Sequence, residues 1–456
     1  MRHFLRLFLI LAYGCGSAAP EIEPISAAKA IGPSSAAPID WAERDWPQWR
    51  GVTQTGVIGS AAIPNSWSEA ENVTWKQSVP GRGHSSPIVV HERVFLTTAD
   101  ELNQKQLLLC YSVQDGAKLW EQTVNSGGFP RKHPKNSFAS ATPASDGKLI
   151  FVAFVNHDRL QVASYDLDGN QVWDKQAGPF QSEHGYGQSP TIFENLVIVA
   201  GDSRGAGFLA GLDRASGEIV WRATRDAPAG HANYSSPVVA QLAGKPQLIQ
   251  LGFLKTISYD PATGKELWQV PGPSTVAANS VAYKDPYVVV SGGYSEKEIL
   301  CIDAASSQVV WTSSKNVAYV PSPIIDGDRV LVAADNGGTL AGFDLESGEE
   351  TFRGRLGGNF SATPIKIDER FFVPNEDGTV YVFQTQPKFK VLAENTLDDS
   401  GGMSSLVVSG DSLFIRTGSA LYKINDPVGE SSTRSSENAS STSTESVSVN
   451  GELSSK

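Results

Sequence analysis

Asp213-Arg-Ala-Ser-Gly217-Glu-Ile-Val-Trp221 is the phrase on which the reading of the fold turns. An Asp at a strand end can accept hydrogen bonds from backbone N–H groups just beyond it. A Gly supplies the left-handed conformation that a tight hairpin needs. The following strand then presents a large flat ring at a fixed distance from the turn. The phrase recurs along the chain. Asp115-Gly116 precedes Trp120, Asp166-Leu-Asp-Gly169 precedes Trp173, and Asp260-Pro-Ala-Thr-Gly264 precedes Trp268. Asp344-Leu-Glu-Ser-Gly348 precedes Phe352, and Asp303 to Ser307 precedes Trp311 with Ser in place of Gly. The aromatic always stands four residues after the Gly or Ser, and the aromatics are 41 to 53 residues apart. A period of that length means a propeller or a solenoid.

Each unit also opens alike. Ser86-Pro87, Thr142-Pro143, Ser189-Pro190, Ser236-Pro237, Ser322-Pro323 and Thr363-Pro364 begin short apolar runs, with Ser280-Val281 and Ser405-Leu406 in the same place without Pro. Eight openings imply eight units. The runs behind them, such as Val197-Ile198-Val199 and Val288-Val289-Val290, are β-branched and short, as strands are. No stretch carries a 3.6-residue apolar stripe. The expected fold is therefore all-β: an eight-bladed propeller of four-stranded antiparallel blades. Its interfaces should be filled by Trp75, Trp120, Trp173, Trp221, Trp268, Trp311 and Phe352. The last unit, Ser405 to Asn425, offers only three strands, and Asn72–Val79 around Trp75 looks like the missing fourth. Pairing of the two ends should close the ring. Cys110 and Cys301 then fall in opposed units, too far apart for a disulfide, and should be free and buried.

The flanks are of another kind. Arg2 and Arg6 precede an apolar run from Phe4 to Ala12, as in an export signal. Leu11-Ala12-Tyr13-Gly14-Cys15 resembles the lipobox of bacterial lipoproteins, which would lipidate Cys15 and anchor the chain to a membrane without a spanning helix. The expected layout is a signal at 1–15, a flexible linker at 16–40, the propeller at 41–428 and a disordered tail at 429–456. Half of that tail is Ser or Thr. The 456-residue chain has a net charge of −12, which argues against nucleic acid as a partner.

The recurring Asp-x-x-x-Gly-x-x-x-Trp resembles the repeat of the pyrroloquinoline-quinone-type propellers. This family includes quinoprotein alcohol dehydrogenases and the outer-membrane assembly lipoproteins. The resemblance covers roughly residues 42–426. Trp46-Pro-Gln-Trp49-Arg-Gly51 is similar to the lead-in of envelope proteins with this propeller, and it is expected to cap the ring on its side or base. The dehydrogenases hold their quinone between a Trp floor and two adjacent cysteines, beside Ca²⁺ bound by hard oxygen ligands. This chain has no adjacent cysteines. Six of its ten tryptophans sit at blade edges and the other four in the lead, leaving none at a strand start facing the channel. PQQ with Ca²⁺ is thus disfavoured, and no catalytic or metal-ligand spacing stands out.

One group of residues is less bland. Arg82 and His84, then Lys132, His133, Lys135 and Asn136, then His184 and Tyr186, then His231 and Tyr234, with Asn279 and Tyr319, all lie just before blade openings. In a propeller those segments surround one mouth of the channel. Convergent polar groups at a concave mouth are a candidate site. The expected function is non-catalytic binding or scaffolding in the bacterial envelope, by a monomer whose partner is an envelope protein or a small polar or anionic ligand; the resemblance to assembly lipoproteins makes outer-membrane protein assembly one version of this. A quinoprotein-like oxidoreductase is the alternative.

Overall fold

The computed structural model describes residues 36–227, 231–397 and 401–426. The expected signal, Cys15, most of the linker and the Ser/Thr-rich tail lie outside the described residues. Within them every regular element is a strand, and the strands form eight sheets. Blade 3 is typical: Thr191–Phe193, Leu196–Ala200, Ala206–Asp213 and Ile219–Asp226 pair in chain order, all antiparallel. Blades 1, 2, 4, 5, 6 and 7 repeat this order, with Val57–Ile58 added in parallel to the innermost strand of blade 7. Blade 8 is composite. Val73–Ser78, from the N-terminal side, pairs antiparallel with Ala420–Ile424 and supplies the outermost strand. The ring closes through hydrogen bonds between the two ends of the chain.

The repeated phrase performs as its chemistry dictates. One carboxylate oxygen of Asp213 accepts from the backbone N–H groups of Ala215 and Ser216, and those of Asp260 and Asp344 do the same in their turns. Gly217 has a φ of +71°, and a Cβ there would lie 2.6 Å from the Trp173 ring of the preceding blade. Glycine is needed twice over, for the backbone and for the neighbouring indole. Trp173 in return donates its indole N–H to the carbonyl of Arg214 at 2.8 Å, and Trp75, Trp120, Trp221 and Trp311 repeat this clasp on the next blade's turn.

Trp268 breaks the pattern for a local reason. The turn it should meet carries Ser307 instead of Gly, at a φ of 59°. Trp268 stays half-buried between blades 4 and 5, but its indole N–H turns to Gln247 Oε1 of its own blade, 2.8 Å away. Phe352, lacking an N–H, stacks on Phe389 with centroids 6.4 Å apart. In every blade the outermost strand also slips by one residue beside the aromatic position. Such bulges turn the ring inward and leave the preceding side chain outside. That accounts for the exposed Leu119, Val172 and Val310. Cys110 and Cys301 are free and buried, and burial pushes both thiols up to about 12.

Candidate functional site

The channel is closed from one side. Residues 46–62 run across the face that carries the Asp–Gly turns and bond to every blade. Trp46 exchanges backbone hydrogen bonds with Val89 of blade 1, and Pro47 accepts from Ser145 of blade 2. Gln48 Oε1 accepts from Ile192 N–H of blade 3, and Gln54 Oε1 from Val239 N–H of blade 4. Arg50 donates to the carbonyls of Val281 in blade 5 and Pro323 in blade 6. The carbonyl of Gly56 accepts from Lys366 of blade 7, and Ala62 N–H donates to Asp411 of blade 8. The cap expected from the WPQWRG lead is thus a plug that crosses the axis. Trp46 packs in the core at the base. Trp49, expected away from the channel, instead reaches it and lines its floor, with the Arg50 guanidinium 5.4 Å from the ring centroid.

Above Trp49 lies a cavity of about 600 Å³, open at the other face. Its wall is the set of blade openings. Ser86 N–H donates to Thr142 Oγ1, Thr142 N–H to Ser189 Oγ, Ser189 N–H to Ser236 Oγ, and Ser236 N–H to Ser280 Oγ. Ser280 N–H donates to Ser322 Oγ, Ser322 N–H to Thr363 Oγ1, Thr363 N–H to Ser405 Oγ, and Ser405 N–H back to Ser86 Oγ. All eight bonds measure 2.9–3.0 Å, so an unbroken circle of hydroxyls surrounds the axis. A Ser or Thr at each opening is needed for this circuit, whereas along the sequence it marks only the start of a strand.

The mouth is formed by the loops between blades. His84, His133, Lys135, Asn136, His184, His231, Tyr234 and Tyr319 all line the cavity. The His133 and His184 rings meet edge to face at 5.5 Å, and His184 lies 5.9 Å from Tyr234. His231 faces Tyr294, also at 5.9 Å. The other four expected residues stand outside this lining and hold the loops. Tyr186 is buried against Phe180 and donates to the Ala200 carbonyl, because its ring fills the joint between blades 2 and 3. Asn279 is buried and donates to the carbonyls of Ala318 and Tyr319. Arg82 donates to the carbonyls of Pro134 and Lys135 and pairs with Glu101. Lys132 turns to the same Glu101 and lies over the Phe138 ring.

Charge at the mouth is largely internally matched. Lys135 is paired with Glu376 at 2.8 Å, and Glu183 with Arg204 at 3.2 Å. His84 is held down to about 4, first by burial and then by the neighbouring Arg416. Its Nε2–H faces the carbonyl of Lys135 at 2.9 Å, so the neutral ring donates there. Burial and the nearby His133 also lower His184. Beneath this rim two arginines are fully buried. Arg50 and Arg416 are held by carbonyl and hydroxyl oxygens, and neither pairs with a carboxylate among the described residues.

A quinone with Ca²⁺ does not fit this donor set. Among the described residues the cavity is lined by one carboxylate, Glu183, which is engaged with Arg204, and both described cysteines lie within blade-interface clusters. Among the described residues no three His, Cys, Asp or Glu side chains are gathered as metal ligands.

Ring, plug and repeat together define a propeller of the pyrroloquinoline-quinone type. The family profile described as outer membrane protein assembly factor BamB matches residues 66–128, 104–328 and 255–453, and the chain belongs to that family. Among curated relatives, BamB of Xanthomonas campestris pv. campestris is 25% identical over 119 residues, covering 26% of each chain. BamB of Kangiella koreensis is 25% identical over 207 residues, 43% of this chain and 50% of the relative. The matches thus span about a quarter and a half of those relatives' lengths. Among solved structures, BamB from Moraxella catarrhalis superposes with a TM-score of 0.56 at 15% identity, over 77% of this chain and 99% of that one. A europium-containing methanol dehydrogenase gives 0.63 at 12% identity, over 84% and 98%. Both likenesses show the fold alone.

Proposed function

We propose that this chain is a non-catalytic binding and scaffold propeller of the bacterial cell envelope, and that its recognition surface is the open mouth of the channel. The observation that carries this reading is the asymmetry of the ring. One face is sealed by a plug bonded to all eight blades, while the other opens into a cavity lined by His, Tyr and Asn side chains. The ion pairs Lys135–Glu376 and Glu183–Arg204 engage the lysine and the carboxylate that line the described mouth. Membership of the BamB family supports an envelope protein as partner, with outer-membrane protein assembly as the setting, and the lipobox-like start supports a lipid anchor.

In-cell photo-cross-linking tests the reading. A photoreactive residue at His133 should trap an envelope component, and one at Val52, on the sealed face, should not. Cross-links only from Val52 would sink it. Quinone absorbance after reconstitution with Ca²⁺ would instead support the oxidoreductase alternative.

A further inference from the structure

The axial cavity is rich in donors and poor in acceptors. Each wall hydroxyl uses one lone pair to accept its neighbour's N–H, and none donates to an acceptor among the described residues. The eight residues that carry them are buried. They line the open cavity, so each hydroxyl proton is left to what enters it. Trp49 lines the same cavity and is half-buried. Its indole N–H makes no hydrogen bond among the described residues, as that of Trp67 away from the cavity does not either, whereas Trp75, Trp120, Trp173, Trp221, Trp268 and Trp311 donate. Two buried cations add a field of one sign: Arg50 under the floor and Arg416 beside His84, neither matched by a carboxylate among the described residues. The occupant should therefore carry negative charge and many oxygen atoms.

The distribution of the donors narrows the class. Two cations balance one or two negative charges and no more. The remaining donors, spread right round the axis, call for uncharged oxygens round the edge of the ligand. Hydroxyl oxygens supply these and can donate back to the ring nitrogens and phenols of the mouth. The floor is an indole lying on a guanidinium, so the ligand also needs a face of C–H groups to cover it. The volume lies within the range of small-ligand sites.

We infer that the axial cavity binds a sugar acid, a polyhydroxylated carboxylate, with its C–H face on Trp49 and its oxygens on the circle of wall hydroxyls. The inference rests on the open mouth being the recognition surface and names what enters it.

Calorimetry on the full-length chain tests it with digalacturonate as probe, maltose as its neutral counterpart, and benzene-1,3,5-tricarboxylate as a flat acid without hydroxyls. Digalacturonate should give a saturable heat that weakens with added salt, at an affinity about ten-fold or more above that of maltose. Trp49→Leu should lower that affinity by about ten-fold or more. Met403→Trp, which fills the cavity from a half-buried lining position, should abolish binding with an unchanged melting temperature, so the test holds even if Trp49→Leu does not fold. No saturable heat from digalacturonate overturns the inference. So does equal affinity for maltose, tighter binding of the aromatic acid, or unchanged binding in folded Met403→Trp. Cross-linking from His133 without sugar-acid binding would remove the ligand class and leave the proposed function standing. Loss of both would remove both.

Discussion

On the sealed face of the ring each Asp–Gly turn meets the tryptophan of the blade before it, and residues 46–62 bond to all eight blades in turn. The open face shares none of this regularity. Its connections differ in length and content, from 79–87 into blade 1 to 127–143 into blade 2. The rim is also uneven. The second strand of blade 1, Arg93–Asp100, has 8 residues, and that of blade 8, Ser412–Arg416, has 5. All four mouth histidines enter from the loops before blades 1 to 4. The comparison teaches that repetition builds the scaffold, while side chains free of the repeat are gathered where the scaffold is left open.

Perturbing each face should give effects of very different size. Deleting residues 66–80 removes the outermost strand of blade 8 and opens the ring, so cooperative thermal unfolding should be lost; an unchanged melting curve would show that the strand is dispensable. Gly217→Ala, still on the sealed face, forces a Cβ into the Trp173 ring at a φ of +71°. It should cost about 3 kcal/mol in denaturant unfolding, combining left-handed strain with overpacking. A loss below about 0.5 kcal/mol, the usual range for a neutral surface change, would show that the turn yields easily.

The open face should answer to pH instead. His84 binds its proton near 6.5 when unfolded and near 4 when folded. Between these values the unfolded state holds more protons, so stability is full above pH 6.5 and falls as the pH drops toward 4. The part due to His84 is on the order of 3 kcal/mol, and His84→Gln should flatten it. A pH profile identical in wild type and variant would contradict this. The smallest stability effect belongs to the mouth itself. His133→Ala with His184→Ala should leave the melting temperature nearly unchanged while weakening partner or ligand binding. Loss of folding would instead give the pair a structural role.

Both Trp268 and Trp49 show where reading from the sequence runs out. Trp268 sits in the repeat at the expected spacing, and the Ser307 that diverts it is visible in the sequence. Its new partner Gln247 is not, because that contact depends on how two strands of blade 4 face each other. Trp49 lies in a lead without a period, so nothing local indicated that it would reach the axis. Eight of the twelve residues assigned to the mouth line the cavity. Arg82, Lys132, Tyr186 and Asn279 do not, since position before a blade opening sets the face of the ring but not the direction of a side chain.

The amino-acid sequence alone determined the repeat, the number of blades and the strand that closes them. Each of these rests on interactions within a few residues or on a spacing that recurs. Tertiary structure alone decided the site. The hydroxyl circle joins residues from Ser86 to Ser405, and the floor brings Trp49 under all of them. Nothing about those residues is close along the chain; closure of the ring around one axis is what makes them neighbours.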